Sequence, residues 1–301
     1  MDLAKLLKNA RRISTPYRVT SGKHFDLESF DPGDTLHLDD GDRGAAKNAL
    51  ALGIEALSDL QEKLYAQDQW AVLAIFQAMD AAGKDSTIKH VMSGVNPQGC
   101  EVHAFKAPSR QELDHDFLWR CAKVLPERGR IGIFNRSYYE EMLVVRVHRQ
   151  ILDSQNLPPK LVTKRIWDER FEDVRAFERY LARNGTLILK FFLNVSKKEQ
   201  KKRFLERLEK PEKNWKYSAQ DVRERAHWKE YMHAYEDVIR ETAAPHAPWY
   251  VVPADNKWFT QIVVAGAMVD ALSSLDLEFP KLDAKELAAL KEAHADLERH
   301  R

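Results

Sequence analysis

A seven-residue apolar run, Trp70–Phe76, constrains the fold of this chain more than any other segment. Continuous apolar runs of this length are typical of strands buried on both faces, as in parallel sheets. The run is followed at once by a loop of mostly small residues, Gln77–Gly83, and then by a predicted helix from Lys84 to Met92. The sequence therefore predicts a buried parallel strand that leads through a tight loop into a helix.

The loop resembles the phosphate-binding pattern G-x-x-x-x-G-K-[ST], with Ala78 in place of the first glycine and Asp85 in place of the serine or threonine. Backbone N–H groups at a helix start, the positive end of the helix dipole and the Lys84 ammonium all favour a bound phosphate. Asp80 would repel that phosphate unless a metal cation lies between them. We therefore expect a phosphate and metal site here, with further contacts from Ala81, Ala82, Gly83, Asp85 and Ser86. An ordinary turn with a surface lysine is the alternative.

Composition narrows the class of protein. The chain has 301 residues, 47 basic and 46 acidic, so its net charge of +1 does not indicate a nucleic-acid partner. Two cysteines without metal-type spacing give no sign of a disulfide framework. The sequence starts without a secretory signal pattern, and no apolar stretch approaches membrane-spanning length. We expect a cytoplasmic protein with no membrane partner.

Short apolar segments alternate with helical patterns along the chain. Beside Trp70–Phe76, the predicted strands are Glu101–Phe105, Arg130–Phe134, Thr186–Leu193 and Trp249–Val252. The other predicted helices are Leu50–Leu64, Arg110–Val124, Ser137–Leu152, Asp168–Arg183, Lys197–Leu208 and Ala219–Thr242. This alternation predicts an α/β fold, a three-layer sandwich with a parallel sheet of about five strands. Residues 1–45 are expected to form an extended arm, 46–275 the main domain and 276–301 a C-terminal surface helix.

Charged residues follow several of these strands, where ligands of parallel sheets bind. Arg136 could donate two hydrogen bonds to a phosphate, or it could pair with a carboxylate as a structural contact. Glu140 or Glu141 could bind metal or polarise an acceptor phosphate, although carboxylates are favoured near a helix start in any case. Lys106 and Arg110 could contact a second phosphate group.

The segment Lys197–Lys216 is strongly basic. Within it, Lys198 and Lys202 share one helical face, as do Arg203 and Arg207. We interpret the segment as part of a lid, residues 197–235, that faces a polyanion, with a solvated basic face as the alternative. Trp215 could stack on a base or anchor the lid.

Seven segments together resemble polyphosphate kinase family 2, and the resemblance extends from about residue 46 to 275. They are Ala78–Lys84, Gly94–Gly99, Phe134–Tyr139, Val195–Arg203, Asn214–Ser218, Arg225–Trp228 and Pro253–Phe259. The resemblance implies a P-loop kinase core like that of thymidylate kinase, with a helical lid. It also implies reversible phosphoryl transfer between inorganic polyphosphate and nucleotides, dependent on Mg²⁺ or alternatively Mn²⁺. A dimer or tetramer is implied as well.

The resemblance also implies roles for individual residues. Asp80 would hold Mg²⁺, and Gly83 and Lys84 would bind the phosphates. Arg136 and Arg203 would clamp the transferring group, assisted by Arg207. Many family members have Asp where this chain has Asn135. Together with Glu140, this pattern resembles the branch that phosphorylates both nucleoside mono- and diphosphates. We therefore expect AMP and ADP as acceptors and ATP as a product, with guanine nucleotides as an alternative.

Two other classes of function stay open at this point. One is a nucleoside monophosphate kinase that uses ATP as the donor on the same fold. The other is a nucleotide- or polyanion-binding module without catalysis, which Ala78 and Asn135 would favour. The presence of Asp80, Lys84, Arg136 and Arg203 together favours the enzyme.

Overall fold

A six-stranded sheet forms the centre of the molecule in the computed structural model, which describes residues 3–299. The strands are β1 (Arg18–Val19), β2 (Ala71–Gln77), β3 (Cys100–Ala104), β4 (Ile131–Asn135), β5 (Thr186–Asn194) and β6 (Trp249–Pro253). Their order is β1-β6-β5-β2-β4-β3, and all pairs are parallel except β1 with β6. The predicted five-stranded parallel sheet is confirmed, and the short antiparallel β1 extends it at one edge.

Helices cover both faces of the sheet. They are α1 (Leu3–Ser14), α2 (Arg43–Gln67), α3 (Lys84–Val91), α4 (Arg110–Leu113), α5 (Trp119–Ala122), α6 (Val144–Val147), α7 (Gln150–Asp153), α8 (Ile166–Arg183), α9 (Lys197–Glu209), α10 (Ala219–Glu224), α11 (Trp228–Thr242), α12 (Lys257–Ser273) and α13 (Ala284–Arg299). On one face α12 packs against α1, α2 and α3, and on the other α8 packs against α11. The α/β sandwich expected from the alternating pattern is thus confirmed.

Strand β2 lies in the middle of the parallel sheet, and all seven of its residues are buried. Phe76 pairs with Asn135 of β4, and Gln77 pairs with Phe192 of β5. The carboxyl ends of these strands therefore meet at one edge of the sheet. That edge brings the loop after β2 beside Arg136, whose N–H donates to the Phe76 carbonyl over 2.9 Å.

Three predicted helices are interrupted in the structure. The segment Arg110–Val124 forms only α4 and α5, because Asp116 accepts a hydrogen bond from the Leu118 N–H and closes a competing turn. The segment Ser137–Leu152 begins with a 3₁₀ turn, Tyr138–Glu141, and continues as the short helices α6 and α7. The segment Ala219–Thr242 is α10 and α11, separated by the 3₁₀ turn Arg225–His227.

The N-terminal segment also differs from the expected extended arm. Helix α1 packs against α12 with Leu6 and Ala10 buried, and only residues 15–42 run as irregular chain with short 3₁₀ turns and β1. At the other end, none of the described residues of α13 is buried. Residues 1, 2, 300 and 301 of the predicted arm and C-terminal helix lie outside the described residues. Within residues 3–299, no helix has both the length and the apolar character needed to cross a membrane.

Gly266 of α12 tests the packing of α1, and Gly53 of α2 provides a control. A Cβ atom on Gly266 would lie 3.0 Å from the Ala10 carbonyl oxygen, whereas one on Gly53 would lie 3.6 Å from the Ala265 Cβ. Gly266→Val should therefore lower the free energy of unfolding by about 1–3 kcal/mol through overpacking. The control Gly53→Ala should be neutral or stabilising by roughly 0.5–1 kcal/mol, since alanine costs less backbone entropy in a helix. Urea denaturation monitored by circular dichroism measures both, and equal stability of the two variants would contradict this packing.

Candidate active site

The loop after β2 is held in a strained backbone conformation. Ala81 has φ = 62° and Gly83 has φ = 113°, both in the left-handed region. This conformation is ordinary for glycine but costs a residue with a Cβ atom roughly 1–2 kcal/mol. The strained loop turns the chain so that α3 begins at Lys84 with its N-terminal N–H groups at the edge of the sheet. Strain of this kind persists where surrounding contacts hold it, as they do here.

Lys84 folds back over the loop and donates from Nζ to the Ala78 carbonyl oxygen over 2.8 Å. Burial lowers the pKa of Lys84, and the nearby Arg136 guanidinium lowers it further. Asp80 and Glu140 act in the opposite direction and favour the charged ammonium. Lys84 thus lies where an additional anion would stabilise its positive charge.

Arg136 is the residue that connects β4 to this loop. Its Nη2 atom lies 3.0 Å from Oδ1 of Asp80, and its own backbone is left-handed at φ = 65°. Next to it, Asn135 donates from Nδ2 to Oδ1 of Asp85 over 2.7 Å, so the amide pairs with the first turn of α3. Glu140 accepts a hydrogen bond from Nε2 of Gln77 over 2.8 Å. The loop after β2 and the segment after β4 thus meet at this edge of the sheet.

Arg203 of α9 is buried and its donors are used within the protein. Nη1 donates to the carbonyl oxygens of Ala81 and Ala82, and Nη2 donates to those of Ala254 and Asp255, over 2.7–3.0 Å. Nε lies 3.0 Å from Oε1 of Glu199. Arg203 therefore fastens α9 to the loop at residues 77–83, here named the phosphate loop for its sequence pattern, and the predicted contact of Arg203 with a transferring phosphate stays a prediction.

Beyond Arg203, the segment from Arg207 to α10 forms one wall of the site. Arg207 donates from Nη1 to Oδ2 of Asp221 over 3.1 Å. Burial raises the pKa of Asp221, and the negative charge of Asp80 adds to the effect. Trp215 is 78% exposed and donates from Nε1 to the Glu212 carbonyl oxygen over 3.1 Å. At this wall, the Arg207 guanidinium is therefore paired with the Asp221 carboxylate.

These elements enclose a cavity of about 510 Å³. Its lining includes these predicted residues: Asp80, Ala81, Ala82, Gly83, Lys84, Asp85, Ser86, Lys106, Arg136, Arg203, Arg207 and Trp215. Four other predicted residues do not line it: Arg110, Glu140, Lys198 and Lys202. Lys198 and Lys202 are exposed on α9, and Lys202 pairs with Glu199.

Sequence reasoning missed several residues of the lining, namely Ala104, Phe105, Glu206, Lys213, Lys216, Asp221 and Lys257. Lys213 and Lys216 belong to the basic segment and could have been found by their charge. Asp221 and Lys257 reach the cavity only through the folding of distant segments. Among the described residues that line it, eight side chains are basic and four are acidic, so the cavity favours a ligand with several negative charges.

The site suits a divalent cation held jointly with a ligand. Among residues 3–299 there is no group of three or more His, Cys, Asp or Glu side chains placed to hold a metal by itself. Mg²⁺ is typically bound through one or two carboxylates together with substrate phosphates and water. Asp80, in a cavity that favours polyanions, matches that requirement.

Neutralising Asp221 should strengthen the binding of a polyanion. Asp221→Asn removes a negative charge from the cavity and releases Arg207 from an ion pair. Charges a few Å apart near a protein surface interact by about 1–4 kcal/mol, so we expect tripolyphosphate to bind about fivefold more tightly. Titration calorimetry at low ionic strength measures the affinity.

Glu292→Gln on the exposed helix α13 is the control, because it changes the net charge equally but far from the cavity lining. If Asp221→Asn bound tripolyphosphate no more tightly than this control, the carboxylate would not be opposing the ligand.

Comparison with known proteins identifies the family. The family described as Polyphosphate kinase 2 (PPK2) matches residues 40–280. A Rhodopseudomonas palustris protein named ADP-polyphosphate phosphotransferase is 55% identical over 229 residues, 76% of this chain and 79% of that protein. A Meiothermus ruber protein named AMP/ADP-polyphosphate phosphotransferase is 46% identical over 265 residues, 88% of this chain and 95% of that protein.

The fold agrees with a solved member of the same family. The crystal structure of polyphosphate kinase 2 from Arthrobacter aurescens TC1 superposes with a TM-score of 0.84 at 40% identity, covering 93% of this chain and 96% of that chain. The resemblance found in the sequence motifs is therefore confirmed. This chain is a phosphotransferase that belongs to the polyphosphate kinase 2 family.

Proposed function

We propose that this protein transfers phosphoryl groups reversibly between inorganic polyphosphate and adenine nucleotides, with both AMP and ADP as acceptors. The observation that carries the proposal is the cavity itself, where the phosphate loop, Arg136 and the basic wall beyond Arg203 surround one space. Its excess of basic side chains suits a chain of phosphates better than a single phosphate group. The names of the Rhodopseudomonas palustris and Meiothermus ruber relatives support the same substrates.

The reaction asks for positioning and charge neutralisation more than for covalent chemistry. Lys84 and the N–H groups at the start of α3 hold the terminal phosphate of the donor. An oxygen of the acceptor's last phosphate attacks that phosphorus, and the bond to the bridging oxygen of the polyphosphate chain breaks. The attacking phosphate is already ionised at neutral pH, so the step needs no general base. Arg136 stabilises the charge that spreads over the transferring group.

Asp80 is the residue that would hold Mg²⁺, or alternatively Mn²⁺. A bound divalent cation supplies neutralisation of the phosphate charge during transfer. In the protein itself, Asp80 pairs with Arg136 at 3.0 Å, so the same carboxylate orients the arginine. One side chain, Asp80, would therefore both bind the metal and hold Arg136 in place.

One assay tests the proposal against its alternatives. Purified protein is incubated with ADP, Mg²⁺ and long-chain polyphosphate in the absence of ATP, and ATP is detected by luciferase. ATP that forms only when polyphosphate is added supports polyphosphate as the donor. A monophosphate kinase could make ATP and AMP from two ADP molecules, but it would do so equally well without polyphosphate. A binding module would form no ATP in either case.

Substitutions in the phosphate loop should abolish most of the activity. Lys84→Ala removes a positive donor from the developing phosphate charge and should lower turnover on the order of 10²- to 10³-fold. Asp80→Asn should be at least as damaging, because it weakens the metal site and the pairing with Arg136. The control is Lys89→Ala, which removes an exposed lysine from the same helix. Near-normal initial rates for both loop variants at saturating Mg²⁺ would contradict this assignment.

Acceptor range depends on Glu140 in this proposal. The two acceptors differ by one phosphate, so the site must place two different attacking oxygens in line with the donor. Glu140 accepts a hydrogen bond from Gln77 and its negative charge raises the pKa of Arg136, although Glu140 is not among the residues that line the cavity. Glu140→Gln removes this charge, and we expect it to slow phosphorylation of AMP, the acceptor with one phosphate fewer, more than that of ADP.

Initial rates with each acceptor, at fixed polyphosphate and Mg²⁺, measure this ratio. A wild-type protein inactive toward AMP, with adenylate kinase contamination excluded, would leave ADP as the acceptor and refute the dual assignment.

The remaining expectations from the sequence also belong to this proposal. Assembly as a dimer or tetramer, a cytoplasmic location, the absence of a nucleic-acid partner, use of guanine nucleotides and the lid at residues 197–235 stay predictions. Size-exclusion chromatography with light scattering would measure the oligomeric state.

A further inference from the structure

A fully buried ion pair lies beneath the turn that follows Arg136. Lys190, in the middle of β5, is 0% exposed, and its Nζ atom lies 2.7 Å from Oε2 of Glu178 on α8, which is 1% exposed. Nζ also donates to the hydroxyl of Tyr139 over 3.0 Å and to the Thr242 carbonyl oxygen over 2.8 Å. All three protons of the ammonium therefore have an acceptor.

Stability does not explain why charges are buried at this place. Burial lowers the pKa of Lys190, which reflects the cost of removing the ammonium from water. Replacing a buried ion pair by apolar side chains of similar volume is often neutral or stabilising. A buried pair that satisfies all of its hydrogen bonds instead fixes the orientation of the groups that bond to it.

Two tyrosines connect this ion pair to the active-site turn. The hydroxyls of Tyr138 and Tyr139 both donate to Oε1 of Glu178, over 2.9 and 2.7 Å. Both residues belong to the 3₁₀ turn Tyr138–Glu141. In the same turn Glu140 bonds to Gln77 at the end of β2. Consecutive residues therefore attach the turn to the buried pair and to the phosphate-loop strand.

The backbone just before this turn needs such support. Arg136 adopts the left-handed conformation, and the buried Ser137 accepts a hydrogen bond from the Tyr139 N–H over 3.1 Å. A strained residue keeps its conformation when contacts on both sides define it. The Phe76 carbonyl fixes Arg136 on the strand side, and the Tyr139 contacts fix the chain on the other side.

We propose that Lys190, Glu178 and Tyr139 are positioning residues that set the orientation of Arg136 toward the cavity and of Glu140 toward Gln77. This inference rests on the proposed function, because it concerns the placement of the transferring phosphate and the acceptor. The three residues act through the turn and do not contact substrate. Their loss therefore reduces phosphoryl transfer through Arg136 and leaves the phosphate loop in place.

The test compares two single-hydroxyl deletions. Tyr139→Phe removes a hydroxyl that contacts Lys190, Glu178 and Thr242, whereas Tyr138→Phe, the control, removes one hydrogen bond to Glu178. We expect Tyr139→Phe to lower kcat with ADP by about tenfold with little change in KM for polyphosphate, because misplaced groups lose rate more than binding. Tyr138→Phe should lose less than half as much. A thermal melt verifies that both variants are folded.

A double-variant cycle separates positioning from a general loss of stability. If Tyr139 acts through Arg136, then Tyr139→Phe combined with Arg136→Lys should retain at least about threefold more kcat than the product of the two single losses predicts. If the loss in kcat of the double variant equalled the product of the two single losses, the proposal would be overturned. It would also be overturned if Tyr139→Phe melted at a lower temperature but kept the wild-type kcat.

A second measurement does not depend on activity. Hydrogen exchange followed by mass spectrometry should show faster exchange in residues 136–141 of Tyr139→Phe, with residues 77–84 unchanged. If wild-type protein failed to make ATP from polyphosphate, the proposed function would fail and this measurement would still test the positioning. Unchanged exchange in the turn would overturn the proposal.

Discussion

Parallel pairing of β2 with β4 and β5 determines where the groups of the active site lie. The register places Phe76 beside Asn135 and Gln77 beside Phe192, so the three strands end together. A slip of one residue would turn every side chain of a strand to the opposite face. In β2, a slip would move each of the seven buried side chains into the packed layer on the opposite face, where the available space has a different shape. The position of Arg136 next to the phosphate loop follows from this register.

The three arginines assigned to the transferring phosphate are each paired with a carboxylate in the structure. Arg136 pairs with Asp80, and Arg203 pairs with Glu199. Arg207 pairs with Asp221. The pairs reduce the repulsion that would arise from gathering guanidinium groups around one cavity. When a polyanion enters the cavity, an arginine that binds it exchanges a carboxylate partner for a phosphate. Selectivity therefore depends on the difference in free energy between these two pairings rather than on the total positive charge.

Sequence patterns predicted the features that depend on local order. The five parallel strands and the phosphate loop follow from apolar runs and from small residues beside Lys84. The extended arm expected for the N-terminus was wrong for α1, although Leu6, Ala10 and Ile13 recur at helical spacing there and provide a local helical signal. The breaks in the predicted helices come from side chains such as Asp116 that bond to nearby backbone N–H groups. The cavity residues Asp221 and Lys257 depend on tertiary contacts between segments far apart in the chain, which a single sequence does not encode as a local pattern.

The buried guanidinium of Arg203 has a consequence for motion. Through four carbonyl oxygens it joins α9 to the phosphate loop and to the turn after β6. The first two turns of α9 must therefore move with the sheet as one rigid body. Just beyond Arg207, Pro211 interrupts the helical hydrogen bonds. If the predicted lid moves, we therefore expect its hinge near the end of α9, with the first two turns of that helix remaining attached to the sheet.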